Sequence, residues 1–331
     1  DYQTADGSDE IEFGGEKFRG ANYIEVANET FTLKVDYQMG EHLITAGIES
    51  FDGTVTNQFL ARYNGEVDFD SIEDFEAGQW SYLRFQVPAA GVNALDTITA
   101  NFDVEQLTYY LQDQWTVSDV LELQFGVRVD SLETPTRPVE NAAFAERYGF
   151  TNAQAFDYTV VQPRASFSYN ISEGIPDETL ISSAIIRGGY GLFMGRFPNV
   201  WLGNAYSRPG PLSDYPRYGN FDDSIGAIPA GDPSFFWLNS PDSSYEIAAP
   251  GSNDSSQYVE DGFEAPSTWR GNIALDLIVG NGYEVTLEYN NDRVNEALGY
   301  TDPGNAVDGT LADGRTQYDG SGSLGLTNIS E

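Results

Sequence analysis

The chain has 331 residues, with 52 Asp and Glu against 16 Lys and Arg, a formal charge of −36. That balance excludes nucleic acid as a partner, because phosphate neutralisation needs clustered Lys and Arg, and it disfavours attachment to anionic lipid through a basic face. The absence of Cys excludes disulfides, thiolate metal sites and a Cys nucleophile, and the single His, His42, excludes multi-His metal sites.

Aromatic residues make up 14% of the chain, which sets it apart from disordered acidic sequences. No apolar run is long enough for a transmembrane helix. The chain opens Asp1-Tyr2-Gln3 without a basic-then-apolar leader, so it reads as a mature form or a piece of something longer. A mean hydropathy of −0.38 suggests a soluble protein. The exception is a membrane β-barrel, in which only every second strand residue need be apolar.

The elements, taken in chain order, follow that second pattern. Residues 28–38 place Phe31, Leu33, Val35 and Tyr37 on one face and Thr30, Thr32, Lys34 and Asp36 on the other. After a tight turn at Met39-Gly40-Glu41, residues 42–51 carry Ile44, Ala46 and Ile48 on the apolar face. Residues 104–117 set Leu107, Tyr109, Leu111 and Trp115 against Gln106, Thr108, Gln112 and Gln114. Residues 121–130 alternate most cleanly: Leu123 and Val127 are expected to face lipid, Gln124, Arg128 and Asp130 the lumen. Residues 161–171 pair Val161, Phe167 and Tyr169 with Gln162, Arg164 and Ser166. Residues 184–192 pair Ile186 and Tyr190 with Arg187, Gly189 and Gly191. Residues 269–279 alternate Trp269, Ile273 and Leu275 with Arg270, Asn272 and Asp276. Gly280-Asn281-Gly282 signals a hairpin, and residues 283–290 then alternate Tyr283, Val285 and Leu287 with Glu284, Thr286 and Glu288. A period of two over such lengths is strand, since a helical face recurs every three to four residues.

Strands of a soluble sandwich usually run about five or six residues, and several here reach the length that spans a bilayer when tilted. The connections near 39–41, 118–120, 172–178 and 280–282 are short, and those near 52–103, 131–158 and 195–266 are long. Short turns at one rim and long loops at the other describe an outer-membrane barrel of a Gram-negative bacterium, its long loops outside the cell. Tyr37, Trp115, Tyr169 and Tyr283 lie beside short turns with outward parity, as an interfacial aromatic girdle requires. The expected fold is therefore all-β: an antiparallel up-and-down transmembrane barrel whose partners include the lipid bilayer and lipopolysaccharide.

The acid excess collects in the long connections. Residues 197–266 hold ten acids against Arg208 and Arg217. Solvation explains such acids; so does binding of a divalent cation, Ca²⁺ above all, through oxygen ligands. Asp68, Asp70, Glu73 and Asp74 form the densest local group, without EF-hand spacing. The same loops are rich in aromatics, among them Trp80, Tyr82, Trp201, Tyr206 and Trp237, which either grip a substrate or pack on one another as a cap. The lumen-parity charges Lys34, Asp36, Arg128, Arg164, Arg187, Arg270, Asp276 and Glu284 either line a substrate path or pair across strands as ordinary wall. Gly188, Gly189 and Gly191 within one strand point to a close backbone approach or a barrel corner. Catalysis is not expected: no phosphate loop, dinucleotide fingerprint or metalloprotease motif is present, and His42 falls beside a short turn.

Ala61-Arg62-Tyr63-Asn64-Gly65 followed by Phe69-Asp70-Ser71-Ile72-Glu73-Asp74-Phe75 is similar to the loop after an early strand of the TonB-dependent outer-membrane receptors of the Oar-like type. Gln162-Pro163-Arg164-Ala165-Ser166-Phe167-Ser168-Tyr169 and Ile186-Arg187-Gly188-Gly189-Tyr190-Gly191-Leu192-Phe193 resemble that family's paired mid-barrel strands. Tyr110-Leu111-Gln112-Asp113-Gln114-Trp115 and Leu123-Gln124-Phe125-Gly126-Val127-Arg128 are similar to hairpins found throughout such receptors. The resemblance implies a barrel of about 22 strands with a plugged lumen, energised through the TonB complex. Only eight long strands are visible, and nothing reads as plug, TonB box or signal peptide. Residues 1–331 are therefore expected to form one barrel segment of a larger receptor, the alternative being a complete eight-stranded barrel. Active transport stands beside two other functions, a surface structural or adhesive protein contacting neighbours through Ca²⁺-binding loops, and a passive porin. Since the first and last long strands end in loop-like flanks, they are not expected to pair with each other.

Overall fold

The computed structural model describes residues 21–60, 66–84, 99–176, 178–195, 199–208, 256–304, 306–312, 314–319 and 324–329, with short pieces at 2–3, 9–10, 18, 87–88, 213–214 and 217–219. Its frame is a ten-stranded sheet. The strands in chain order are β1 (Ala21–Met39), β2 (His42–Leu60), β3 (Thr99–Ser118), β4 (Leu121–Glu133), β5 (Tyr158–Asn170), β6 (Ile181–Met194), β7 (Gln257–Val259), β8 (Ser267–Val279), β9 (Tyr283–Thr301) and β10 (Leu324–Ile329). Their spatial order is β7-β10-β9-β8-β6-β5-β4-β3-β2-β1. All eight expected long strands are present, joined as antiparallel neighbours.

The strands run further toward the long loops than the alternation suggested. β1 and β2 pair without interruption from Met39↔His42 to Ala21↔Leu60. The reason is a change of chemistry, not of backbone. Near the long loops the face that is polar lower down becomes apolar: Val55, Phe102, Val104, Leu132 and Tyr158 are all buried there. The polar–apolar alternation fades while the ladder of hydrogen bonds continues. At the other rim the turns are tight, and Gly40 (φ 59°), Gly280 (φ 60°) and Gly282 (φ 100°) supply the left-handed backbone they need.

The opposite face of the sheet carries large apolar side chains in the open. Phe31, Leu33, Leu111, Phe125, Ile273 and Leu287 are between 47% and 61% exposed. A soluble sandwich would lay a second sheet over such a face. Among the described residues nothing covers it, so its complement is lipid. Tyr37, Trp115, Tyr169 and Tyr283 stand exposed on this face beside the short turns, where the girdle was expected.

Among the described residues β1 pairs with β2 alone, and the part of β9 nearest the 280–282 turn pairs with β8 alone. The two strands lie far apart in the sheet and do not pair with each other. β10 covers only Ala297–Thr301 of β9.

Candidate functional site: the lumen wall and its outer cap

The polar face of the wall is built by register. Glu49, Thr108 and Asp130 stand side by side on β2, β3 and β4, and Arg128 stands opposite Gln162 on β5. Asp130 is 1% exposed, and its carboxylate accepts from Thr108 Oγ1 (2.5 Å), Gln106 Nε2 (3.0 Å), Arg128 Nε (2.9 Å) and Gln162 Nε2. Arg128 Nη2 donates to Glu49 Oε2 at 3.0 Å. A buried carboxylate is tolerated because its lone pairs are filled by four donors, one of them charged.

Other expected lumen charges are paired in simpler ways. Arg187 Nε lies 2.6 Å from Asp276, which also accepts from Thr286 Oγ1 at 2.7 Å. Lys34 Nζ lies 3.0 Å from Asp36, which accepts from Thr45 Oγ1 at 2.6 Å. Arg270 and Asp292 are 3.9 Å apart. Arg164 donates to Gln162 Oε1 (3.1 Å) and lies 4.4 Å above the Phe193 ring. Glu284 is exposed near the 280–282 turn.

The strand glycines have a reason that neither a plug nor a corner requires. A Cβ on Gly188 would stand 2.9 Å from the Phe167 ring, its partner across the ladder. Tyr190 lies over Gly271, and Tyr110 over Gly47, in the same way. Each ring replaces the packing that its cross-strand glycine lacks. Gly191 instead takes the stem of Arg164, whose Cγ would sit 2.9 Å from a Cβ there.

Above this wall the described parts of the long loops pack into a cap. Helix α3 (Asn199–Ser207) follows α1 (Ile72–Ala77) and α2 (Ala142–Tyr148) in the chain. α3 buries Leu202 and Ala205, and Leu202 joins Phe102, Val55, Phe156 and Phe263 in one core. Tyr206 stacks on Phe102 at 4.7 Å, and its hydroxyl donates to the Thr136 carbonyl at 2.6 Å. Trp201 packs on Tyr300 at 5.0 Å. Trp80 is buried at 1% exposure, and Tyr82 sits in a small sheet opposite Asp68 and Gly219. Trp237 lies outside the described residues, as do residues 61–65 of the receptor-like loop. Trp80 is thus buried, and Trp201 and Tyr206 are packed on other rings rather than left open to a ligand.

A second aromatic group went unnoticed in the sequence: Phe144, Tyr148, Phe150 and Tyr258, with neighbouring ring centroids 4.8 to 5.3 Å apart. Asn141 caps α2 by accepting from the Phe144 amide, and Gly149 (φ 78°) ends the helix. Asn141 and the 144/148 spacing are the signals that mark this helix in residues 141–149. Burial holds the Tyr258 hydroxyl, and less strongly that of Tyr206, protonated beyond the ordinary tyrosine range. Between pH 10 and the raised folded value, the unfolded chain loses protons that the cap retains, so stability falls as pH rises. Protease nicking of residues 134–157 should therefore increase above about pH 10, and nicking that stays flat to pH 12 would show these phenols to be solvated.

The acids Asp68, Asp70, Glu73 and Asp74 do not converge. Ser71 caps α1, donating its hydroxyl to Asp74 at 2.6 Å while accepting from the Asp74 amide at 3.0 Å. Glu73 and Asp74 occupy the first turn, where negative charge complements the helix dipole. Among the described residues no group of three or more His, Asp and Glu side chains is arranged to hold a metal ion. Chelation should leave protease nicking of residues 66–82 unchanged; protection that returned with added Ca²⁺ would restore the cation reading. At the opposite rim His42 Nδ1 lies 2.9 Å from Asp113, and its ring stacks on Trp115 at 5.2 Å.

A long apolar face left bare, a polar wall behind it, tight turns at one rim and folded loops at the other describe one kind of domain. Residues 3–328 match the family described as "Outer membrane beta barrel domain". The chain belongs to that family. Its place is the outer membrane. Among solved structures it is similar to "Copper transporter OprC", with a TM-score of 0.41 and 11% sequence identity over 92% of this chain and 33% of that one. The chain thus spans about a third of that transporter's length. No curated protein sequence matches it.

Proposed function

We propose that this barrel domain is the wall of a TonB-dependent, Oar-like transporter, moving a substrate taken up at its acidic, aromatic-rich outer loops through a plugged lumen. The observation that carries this reading is the outer cap. α3 seats Leu202 against Phe102 and Val55 at the outer end of the lumen-facing wall. A passive porin works through an open mouth, whereas a wall roofed by a packed apolar core suits transport that spends energy on opening. The sheet order supports the further reading that the domain is part of a larger barrel. Unpaired backbone groups in lipid cost several kcal/mol each, so the edges of β1 and β9 that no described strand covers call for further strands. Under this reading the partners are the bilayer, lipopolysaccharide and the TonB complex, and the role is transport, not catalysis.

Uptake into cells expressing the intact gene tests the proposal. Accumulation of the substrate that supports growth should collapse when TonB is deleted or the proton gradient is discharged. Uptake that persists at the same rate under both treatments would return the protein to the passive porins.

A further inference from the structure

We propose that the lumen wall holds a binding site for a carboxylate group, formed by Arg164 and Arg270 on either side of Gly191. The register creates it. Gly126, Arg164, Gly191, Arg270 and Asp292 follow one another directly across β4, β5, β6, β8 and β9. Strands are spaced about 4.8 Å apart, so the two arginine Cα atoms are about 10 Å apart with a glycine between them. Both arginines line a concave pocket of about 620 Å³, which Glu49 and Asp292 also line. Gly126 and Gly189 keep its floor low, and Ser166 and Asn272 add neutral polar groups.

Arg164 differs from the other cations of this wall. Arg128 contacts two carboxylates, Arg187 sits 2.6 Å from Asp276, and Lys34 sits 3.0 Å from Asp36. Arg164 has no carboxylate within ion-pair distance among the described residues; its hydrogen bond goes to a neutral amide, that of Gln162. A guanidinium carries five N–H donors, so most of this fork is uncommitted. Its orientation is nevertheless set. Its stem crosses Gly191, where any Cβ would collide, and its plane rests on Phe193. Arg270 is held loosely, 3.9 Å from Asp292, and both side chains are more than half exposed. In a chain with 52 acids and 16 bases, an oriented arginine without an acid beside a weakly paired one is an unfilled demand for negative charge. The planar fork matches a carboxylate edge to edge.

The carboxylate comes from one of two sources, a dissolved solute or an acidic side chain of a protein segment in the lumen. The site rests on the transport reading only for the ligand's route, and binding in detergent does not require energised uptake. The test is calorimetry at low ionic strength on the detergent-folded protein. Citrate represents the solute, and an Asp-containing peptide, with its Asn counterpart as control, represents the segment. Binding of either carboxylate probe is expected, weakened about tenfold or more by Arg164→Gln, a change of about 1.4 kcal/mol. Arg270→Gln should weaken it too, and Glu284→Gln, far along the wall, should not. Gly191→Val should abolish it by displacing the Arg164 stem. Heat-dependent gel mobility reports whether each variant has folded. Should Arg164→Gln fail to fold, Arg164→Lys keeps the charge but loses the fork and should still bind more weakly. Citrate bound alone assigns the site to a solute; the Asp peptide bound alone assigns it to a protein segment. Undiminished binding in folded Arg164→Gln or Arg164→Lys, or no binding of either probe to the folded wild type, would overturn the proposal, whatever uptake experiments show.

Discussion

Replacing Arg128 by Met should cost about 3–5 kcal/mol of stability, the range for breaking a buried ion pair from one side. Asp130 is 1% exposed, and Arg128 is its charged partner. Without that cation a carboxylate remains in the wall with only neutral donors, and Glu49 loses its partner as well. A well-packed apolar pair in the same place should hurt far less, because it removes both charges together. The double variant Arg128→Met with Asp130→Leu should therefore recover much of the loss. Urea titrations of the protein folded in lipid measure both. A double variant as unstable as the single one would show that the neutral bonds from Thr108, Gln106 and Gln162, not the ion pair, hold β3, β4 and β5 in register.

Leu111→Arg should cost about 2–4 kcal/mol, the penalty for a charge on the lipid face near the midplane, while Gln112→Arg should cost much less. The structure chooses this site over Leu123. Leu123 lies directly across from Trp115, at the girdle, where a charge reaches the interface and the penalty falls to about 0–1 kcal/mol. Leu111 is four residues farther from the turn, 52% exposed, with Ala46 and Val127 beside it on β2 and β4. Refolding into vesicles followed by tryptophan emission reads the loss. Equal losses at positions 111 and 112 would mean that neither face contacts lipid.

The loops divide what was legible from what was not. Residues 141–149 carry a helix with a sequence-readable cap, Asn141 at one end and Gly149 at the other, hidden inside a stretch whose other features read as loop. Trp80 and Tyr206 were visible as aromatic residues in an outer loop. The packing of Tyr206 was not visible, because it depends on Phe102 and Thr136, distant in the chain. The four acids at 68–74 looked like a cation site because they are close in sequence. The Ser71 cap directs two of them along a helix turn instead.

The amino-acid sequence by itself determined the strands, their facing and the two rims. These depend on side-chain alternation and turn chemistry, which are local and repeat every second residue. Tertiary structure alone decided three further things. It carried β1–β4 past the end of the alternation, since backbone pairing continues wherever a neighbour is present, whatever the side chains. It turned the outer end of the polar face into an apolar core, since Val55, Phe102 and Leu132 become a core only when Leu202 and Phe156 reach them from other loops. It also paired Arg128, Arg187 and Lys34 with carboxylates and left Arg164 without one within ion-pair distance among the described residues, because pairing across strands follows register, and register brings together residues tens of positions apart in the chain.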